Sequence, residues 1–309
     1  MVPPISSAPL ASVIVPVRNG EAHLPSLIRA LAAQTIPRDS FEVVIGDDGS
    51  TDGSARAAAT EDGWVRAMLG PPQNAYAARN RAARSARAPV LAFCDADCLP
   101  EPGWLAAGLR ALEQAELVAG EIRFLVRERH TVWALLDIDT FKDHERQVRA
   151  ANAETANLFV RRELFERLGG FDELEPGHGD FDFVERCVGA GARLVYAPEA
   201  VVTHPTHDAA RPFLRTVWSM HRSYAARARR AGLRPDALRL RSWVPLVQPL
   251  RSRRRFGRSL ALDRRRLAAN GVRPRLLEDL RALVIMYLLL PYFEGAAQLA
   301  GWRDGRRAR

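Results

Sequence analysis

Two aspartates one residue apart close a short apolar run, where Pro89 to Cys94 is followed by Asp95-Ala96-Asp97. In an extended segment, residues i and i+2 point to the same side. Two carboxylates so placed at the end of a buried strand repel each other unless a cation lies between them. Their hard oxygens suit Mg²⁺ or Mn²⁺, commonly shared with phosphate oxygens of a substrate. An isolated D-x-D is more often a pair of solvated turn residues. The apolar run directly before this one favours the functional reading.

Other places could serve chemistry beside it. Asp47-Asp48-Gly49-Ser50-Thr51-Asp52 ends another apolar run. It reads either as a polar turn with an N-cap or as a loop that recognises a nucleotide. Its carboxylates can accept from a base N–H or from ribose hydroxyls, and Gly49 lets backbone approach a ligand. Arg79 could counter a diphosphate by bidentate contact, although several arginines share its segment. Gly179-Asp180-Phe181-Asp182 reads as the acidic start of a helix, favourable with the helix dipole. There Asp180 and Asp182 face different ways, so only one can enter a cleft, as a general base. His204 closes an apolar strand and could complete a metal site. Cys94 and Cys98 flank the aspartate pair, but no further zinc ligands stand at proper spacing, and both read as packing residues.

These residues need a scaffold that brings strand ends together. Residues 11–17 form a buried-strand run, Glu21 to Ala33 a helical stripe, and Phe41 to Ile45 a second strand. Ala55 to Thr60 is helix-prone, Trp64 to Leu69 strand-like, and Ala75 to Ala86 helical by propensity. The alternation predicts an α/β layer fold with a mainly parallel sheet. Ligands of such sheets bind beyond the carboxyl ends of the strands, where both acidic clusters fall. Later, the patterns predict a helix over Pro102 to Ala115 and strands at Leu117 to Val126 and Asn157 to Val160. They continue with helices at Arg162 to Leu168 and Phe181 to Gly189, then strands at Ala192 to Tyr196 and Ala200 to Thr203.

With 47% hydrophobic and 26% charged residues in 309, the chain is neither disordered nor fibrous. Three cysteines make no disulfide framework and point to a reducing compartment. Charge is divided unevenly. Residues 1–204 hold 21 Lys+Arg against 29 Asp+Glu, while residues 205–309 hold 24 Arg against 7 Asp+Glu. The boundary is placed near residue 207, giving domains 1–207 and 208–309. The second is expected to be an Arg-rich helical region. Its clusters at 251–255 and 264–266, with nearby apolar residues, suit an anionic membrane surface. Nucleic acid is not expected, because aromatics are not interleaved as stacking platforms. The apolar stretch Ala282 to Phe293 is shorter than a membrane-spanning helix needs, and a buried or interfacial helix is expected.

In order along the chain, seven segments resemble the family 2 glycosyltransferases of the GT-A fold. They are Ser12-Val13-Ile14-Val15-Pro16-Val17-Arg18-Asn19, Asp47 to Asp52, Ala78-Arg79-Asn80 and Phe93 to Asp97. Then follow Leu168-Gly169-Gly170-Phe171-Asp172-Glu173, Asp180-Phe181-Asp182 and Val202-Thr203-His204-Pro205. The resemblance covers roughly residues 10–207. It implies a Rossmann-like nucleotide-diphospho-sugar transferase domain and inverting transfer to a hydroxyl of a glycan or lipid-linked acceptor. It implies a nucleotide-sugar donor, UDP first among the nucleotides, and Mn²⁺ or Mg²⁺ as cofactor. Donor-binding positions would be Pro16, Arg18, Asp47, Asp48, Arg79 and Asp95. Asp97 and His204 would hold the metal, and Asp180 would be the catalytic base. The expected location is cytoplasmic, at the inner face of the cell membrane.

One position departs from the family: its base motif is commonly Glu-Asp, and here Gly179 stands first. A catalytically silent nucleotide-sugar-binding or scaffold protein is therefore the competing expectation. A nucleotidyltransferase, which would release pyrophosphate, gives no role to the base and Gly-Gly-Phe-Asp segments. As base, an ordinary Asp is ionised at neutral pH.

Overall fold

The computed structural model describes residues 9–58, 63–126, 131–140, 143–175, 177–230, 232, 268, 280–282, 284–285 and 289–307. The arginine clusters at 251–255 and 264–266 lie outside them. The described residues divide into two compact units. The first takes those of 1–123, 142–175 and 179–204, the second those of 124–141, 177–178 and 205–309.

The first unit is built on a sheet whose strands run β3-β2-β1-β4-β7-β6-β8-β5. In chain order they are β1 (Ala11–Val17), β2 (Phe41–Asp48), β3 (Val65–Gly70), β4 (Val90–Cys94), β5 (Leu99–Pro100), β6 (Leu117–Leu125), β7 (Asn157–Arg161) and β8 (Leu194–Pro205). Its helices are α1 (Leu24–Ala32), α2 (Ser54–Ala57), α3 (Ala75–Ser85), α4 (Trp104–Ala111), α6 (His144–Arg149), α7 (Arg162–Arg167) and α8 (Gly179–Gly189). The label α5 belongs to Val132–Thr140 in the second unit.

β1 pairs in parallel with β2 and β4, and β2 with β3. This is the parallel sheet that the strand–helix alternation predicts. From β7 onward the described pairings turn antiparallel: β7 against both β4 and β6, and β5 against β8. All residues of β1, β2 and β4 are buried, because helices cover both faces of a doubly wound sheet. α1 presents Leu24, Leu27 and Leu31 as one buried stripe, which is 3.6-residue periodicity at work.

Two local devices fix the elements that carry site residues. Asn74 caps α3, its side-chain oxygen accepting from the N–H groups of Tyr76 and Ala77 at 2.9 Å each. The helix behind that cap is rich in alanine and lies directly on β2. A Cβ on Gly46 would run into the backbone of Ala78, so glycine here permits backbone-to-backbone approach.

Glu42 is the second device. This carboxylate, 1% exposed, accepts from Ser12 Oγ at 2.7 Å, Arg87 N at 2.6 Å, Arg66 at 2.8 Å and Arg87 Nε at 2.9 Å. Burial pushes its pKa up, but these donors hold it net below the ordinary value. The apolar run 41–45 therefore contains a clamped charge rather than a purely apolar strand.

The second unit contains α5, α9 (Ala210–Arg230) and α10 (Leu290–Arg307). Its core includes Phe124, Leu136, Phe213, Val217 and Leu290. Asp137, fully buried, accepts from His207 at both N (3.0 Å) and Nδ1 (2.8 Å). α10 lies along α9, with Arg222 Nε bonded to Asp304 at 2.6 Å. Among the described residues no helix is long and apolar enough to cross a membrane.

Candidate functional site

The carboxyl ends of β1, β2 and β4 meet in three loops. The first two are stitched to each other. Asn19, in left-handed backbone at φ 53, accepts from Thr51 N at 2.8 Å and donates its own N–H to Ser50 Oγ at 2.9 Å. Gly20 N bonds Ser54 Oγ at 2.8 Å, and Gly53 N bonds Glu21 Oε2 at 2.9 Å. Gly49 sits at φ +72, where a Cβ would lie 2.6 Å from the Pro72 ring. Only glycine satisfies both constraints, and the turn after β2 depends on it.

This stitching holds the proposed donor positions. Pro16 lies within β1, opposite Gly46 in register. Arg18 follows the strand and reaches Asp48 Oδ2 at 3.6 Å. Asp47 and Asp48 are 3% and 4% exposed. Asp48 accepts from Gln73 N at 2.8 Å, and Asp47 Oδ1 from Ser50 N at 2.8 Å. Asp47 Oδ2 is buried with no hydrogen-bond partner among the described residues. A buried acceptor without a donor is costly, and a ligand N–H would relieve it.

The third loop carries the aspartate pair. Residues 95–98 form a tight turn closed by Cys98 N–H to Asp95 O at 3.1 Å, rather than the extended segment the spacing suggests. The carboxylates converge nonetheless. Asp95, Asp97, Cys98 and His204 each bring a ligand atom to within 4.8 Å of the others. His204 comes from β8, placed there because Leu99 pairs with Thr203. Its Nε2 stands 3.7 Å from Asp97 Oδ1. That is too long for a hydrogen bond and compatible with two ligands of one ion. The donor set, two carboxylates and an imidazole, fits a divalent cation. Cys98 is fully buried, and its neighbours Cys94, Asp95 and Asp97 hold its thiol well above the ordinary range.

Arg79 links this turn to the base position. It is 6% exposed on α3 and bonds Asp95 Oδ1 at 2.5 Å, while its guanidinium lies 5.4 Å from the centroid of the Tyr76 ring. Tyr76 in turn donates its hydroxyl to Asp180 Oδ1 at 3.2 Å. Asp180 also accepts from Thr155 N at 3.3 Å and Phe181 N at 3.0 Å. Burial pushes the Asp180 carboxyl above its ordinary range, and Glu154 adds to the shift. Arg79 and the two N–H groups oppose it. Asp180 is thus not the ordinary aspartate that sequence reasoning assumes.

Asp182 lies on another face of α8 and bonds Arg186 at 2.9 Å, as i and i+2 positions on a helix require. Gly179 also has a structural account. A Cβ there would lie 2.9 Å from the Tyr76 ring. The tyrosine occupies the room that a larger residue would need.

Asn80 holds the Gly-Gly-Phe-Asp segment. It donates to Phe171 O at 2.8 Å and accepts from Phe171 N at 3.0 Å. Tyr76, Glu154 and Thr155 were not singled out by sequence reasoning. No spacing rule ties residues 76 and 180, and the fold alone brings them together.

Comparison with known proteins bears on this geometry. The family described as Glycosyl transferase family 2 matches residues 12–169, more than half of the chain. The chain is 32% identical over 215 residues to glycosyltransferase AglE of Haloferax volcanii, covering 67% of this chain and 69% of that protein. It is 36% identical over 212 residues to validoxylamine A glucosyltransferase of Streptomyces hygroscopicus subsp. limoneus. There 57% of this chain and 47% of that protein are covered, so this chain spans about half of that relative.

Mannosyltransferase PcManGT from Pyrobaculum calidifontis, solved with GDP-Man and Mn²⁺, superposes with a TM-score of 0.58 at 21% identity. The match covers 99% of this chain and 89% of that one. S. aureus TarS 1-349 superposes at 0.51 with 16% identity, covering 97% and 92%. These structural likenesses speak for the fold, and the sequence matches for the family. The chain belongs to glycosyl transferase family 2 and is a glycosyltransferase of the GT-A fold.

Proposed function

We propose that the protein moves a sugar from a nucleoside-diphosphate donor to an acceptor hydroxyl in one inverting, divalent-metal-dependent displacement. The observation that carries this reading is the convergence of Asp95, Asp97 and His204 at one strand end. Arg79 bridges that cluster toward Asp180. Asp47 and Asp48 would receive the base and ribose, and Asp47 Oδ2, buried with no partner among the described residues, could accept from a donor N–H or hydroxyl. Pro16 and Arg18 would flank the nucleotide.

Asp95, Asp97 and His204 would hold Mn²⁺ or Mg²⁺, and such an ion supplies charge neutralisation to a departing diphosphate. Arg79 adds a fixed positive charge in a buried setting, where it acts more strongly than in water. Asp180 accepts the proton of the acceptor hydroxyl as that oxygen attacks the anomeric carbon from the face opposite the leaving group. Attack from that face inverts the anomeric configuration. Tyr76 and the Thr155 N–H orient the Asp180 carboxylate for this step.

Thermal shift with UDP-, GDP- and dTDP-sugars, each with and without Mn²⁺, tests the reading. A bound ligand raises apparent stability by about 2.7 kcal/mol at a hundred times its Kd. A metal-dependent shift with one nucleotide, followed by product whose anomeric configuration is inverted by NMR, is the expected result. A shift without turnover of any acceptor tried would favour a silent nucleotide-sugar-binding protein. No shift at all would remove the donor-site assignment.

For the acceptor, we infer a glycan or lipid-linked hydroxyl presented at the inner, anionic face of a membrane. Two observations support this. The 24 arginines of residues 205–309 outweigh 7 acids. In the second unit Leu280, Val284, Leu289 and Tyr292 are exposed at 43–60%. Apolar side chains beside arginines suit an interfacial helix. The full chain is expected to sediment with vesicles containing phosphatidylglycerol and not with phosphatidylcholine alone. Equal partition into the supernatant in both cases would overturn the membrane assignment.

A further inference from the structure

Cys98 is placed as a ligand would be. It closes the turn that carries Asp95 and Asp97, and the turn's own hydrogen bond, Cys98 N to Asp95 O at 3.1 Å, sets all three residues around one point. The β5–β8 pairing brings His204 to the same point. Ligand atoms that share one ion stand about 3–4 Å apart, given metal–oxygen and metal–nitrogen bonds near 2.0–2.1 Å and metal–sulfur bonds near 2.3 Å. The four atoms here lie within 4.8 Å of one another, and the Asp97–His204 pair is already at 3.7 Å. Shifts of about 1 Å would therefore bring all four atoms onto one ion, and a five- or six-coordinate shell keeps positions for the donor's phosphate oxygens. The side chain is 0% exposed, so water does not compete for its sulfur.

We propose that Cys98 Sγ is a ligand of the donor-site cation. The set is then two carboxylates, one imidazole and one thiolate. It holds borderline ions such as Zn²⁺ and Co²⁺ more tightly than Mg²⁺, because a soft sulfur favours them. As the metal–sulfur bond forms, the thiol proton passes to buffer, so uptake of the ion releases one proton from this residue. Cys98 thereby becomes a determinant of which metal the enzyme carries. This inference rests on the proposed function for the presence of a cation at the turn.

Cobalt makes the test direct. The full chain, stripped of metal, is titrated with Co²⁺ and watched in the near ultraviolet, where a cobalt-bound thiolate absorbs intensely. Wild type, Cys94→Ser and Cys187→Ser are expected to develop that band at one ion per chain. Cys98→Ser and Cys98→Ala are expected to lack it, with Co²⁺ affinity down about 10–100-fold and Mn²⁺ affinity changed much less. Circular dichroism checks that each variant is folded. X-ray absorption of the Zn²⁺-loaded wild type needs no variant, and one sulfur near about 2.3 Å is expected. Co²⁺ binding with no sulfur band and equal affinity in Cys98→Ser would overturn the proposal while leaving the cation in place. A folded wild type that binds neither Co²⁺ nor Mn²⁺ would overturn the cation assignment as well.

Discussion

Asp97→Ala is expected to lower the rate of sugar transfer about a thousandfold, equivalent to about 4 kcal/mol of lost transition-state stabilisation. The size follows from what the carboxylate would hold. Asp97 faces His204 Nε2 across 3.7 Å and belongs to the four-residue cluster at the end of β4. Without it a bound cation would lose a charged ligand and would neutralise less of the charge on a departing diphosphate. The side chain is 35% exposed, so its removal leaves no buried hole, and stability is expected to change by no more than about 0.5 kcal/mol. Loss of turnover with an unchanged melting temperature is thus the signature, read by release of nucleoside diphosphate across a Mn²⁺ titration. Activity within tenfold of wild type at every Mn²⁺ concentration would dismiss Asp97 as a metal ligand.

Asp180→Asn is expected to cost about 10²–10⁴ in kcat, the range of a lost general base. Its pH behaviour separates this role from a structural one. The base works when deprotonated, and burial, with Glu154, raises the pKa of Asp180 above the usual carboxylate value. Activity should therefore fall as pH drops through that raised value, above the range near 4 where an ordinary Asp titrates. Glu154→Gln removes one of the raising charges, so the acid limb of kcat/KM should move to lower pH. The same sign governs stability. A folded state that holds the Asp180 proton more tightly than the unfolded chain gains stability at low pH and loses it as pH rises through the folded pKa. Asp180→Asn is therefore expected to keep or raise the melting temperature at neutral pH while activity collapses. A variant that loses both together, with no change in pH profile for Glu154→Gln, would make Asp180 a structural residue.

How much of this was legible in the sequence depends on range. β1, β2 and β4 stood out because strands buried on both faces read as unbroken apolar runs, and the acidic turns that follow them mark the edge where the candidate site lies. The direction of β7 was not legible, since a short apolar segment says nothing of which way it enters a sheet. β8 was read as two strands, Ala192 to Tyr196 and Ala200 to Thr203. It is one, Leu194–Pro205, that runs through Pro198-Glu199. β5 is only two residues long and carries no pattern, yet its pairing places His204.

The site divides in the same way. Aspartates local to a strand end were visible. The partners of Asp180 were not, because Tyr76 is 104 positions away and Thr155 contributes only a backbone N–H that any residue has. Cys94 and Cys98, which read as packing residues, are indeed fully buried in the apolar core, but spacing rules look for partners nearby in the chain and do not see that Cys98 also stands beside His204.

Arg79 is a single positive charge with two anionic dependants. It bonds Asp95 at 2.5 Å and also lowers the pKa of Asp180. Whatever engages Asp95 on the donor side changes how much of that field Asp180 feels, and so changes its affinity for a proton. Linkage is reciprocal: the protonation state of Asp180 must alter the affinity of that same ligand by the same factor. If Asp95 meets the donor and Asp180 is the base, donor affinity and the acid strength of Asp180 are therefore coupled quantities. A pH titration of donor binding, in the absence of any acceptor, already carries information about the base.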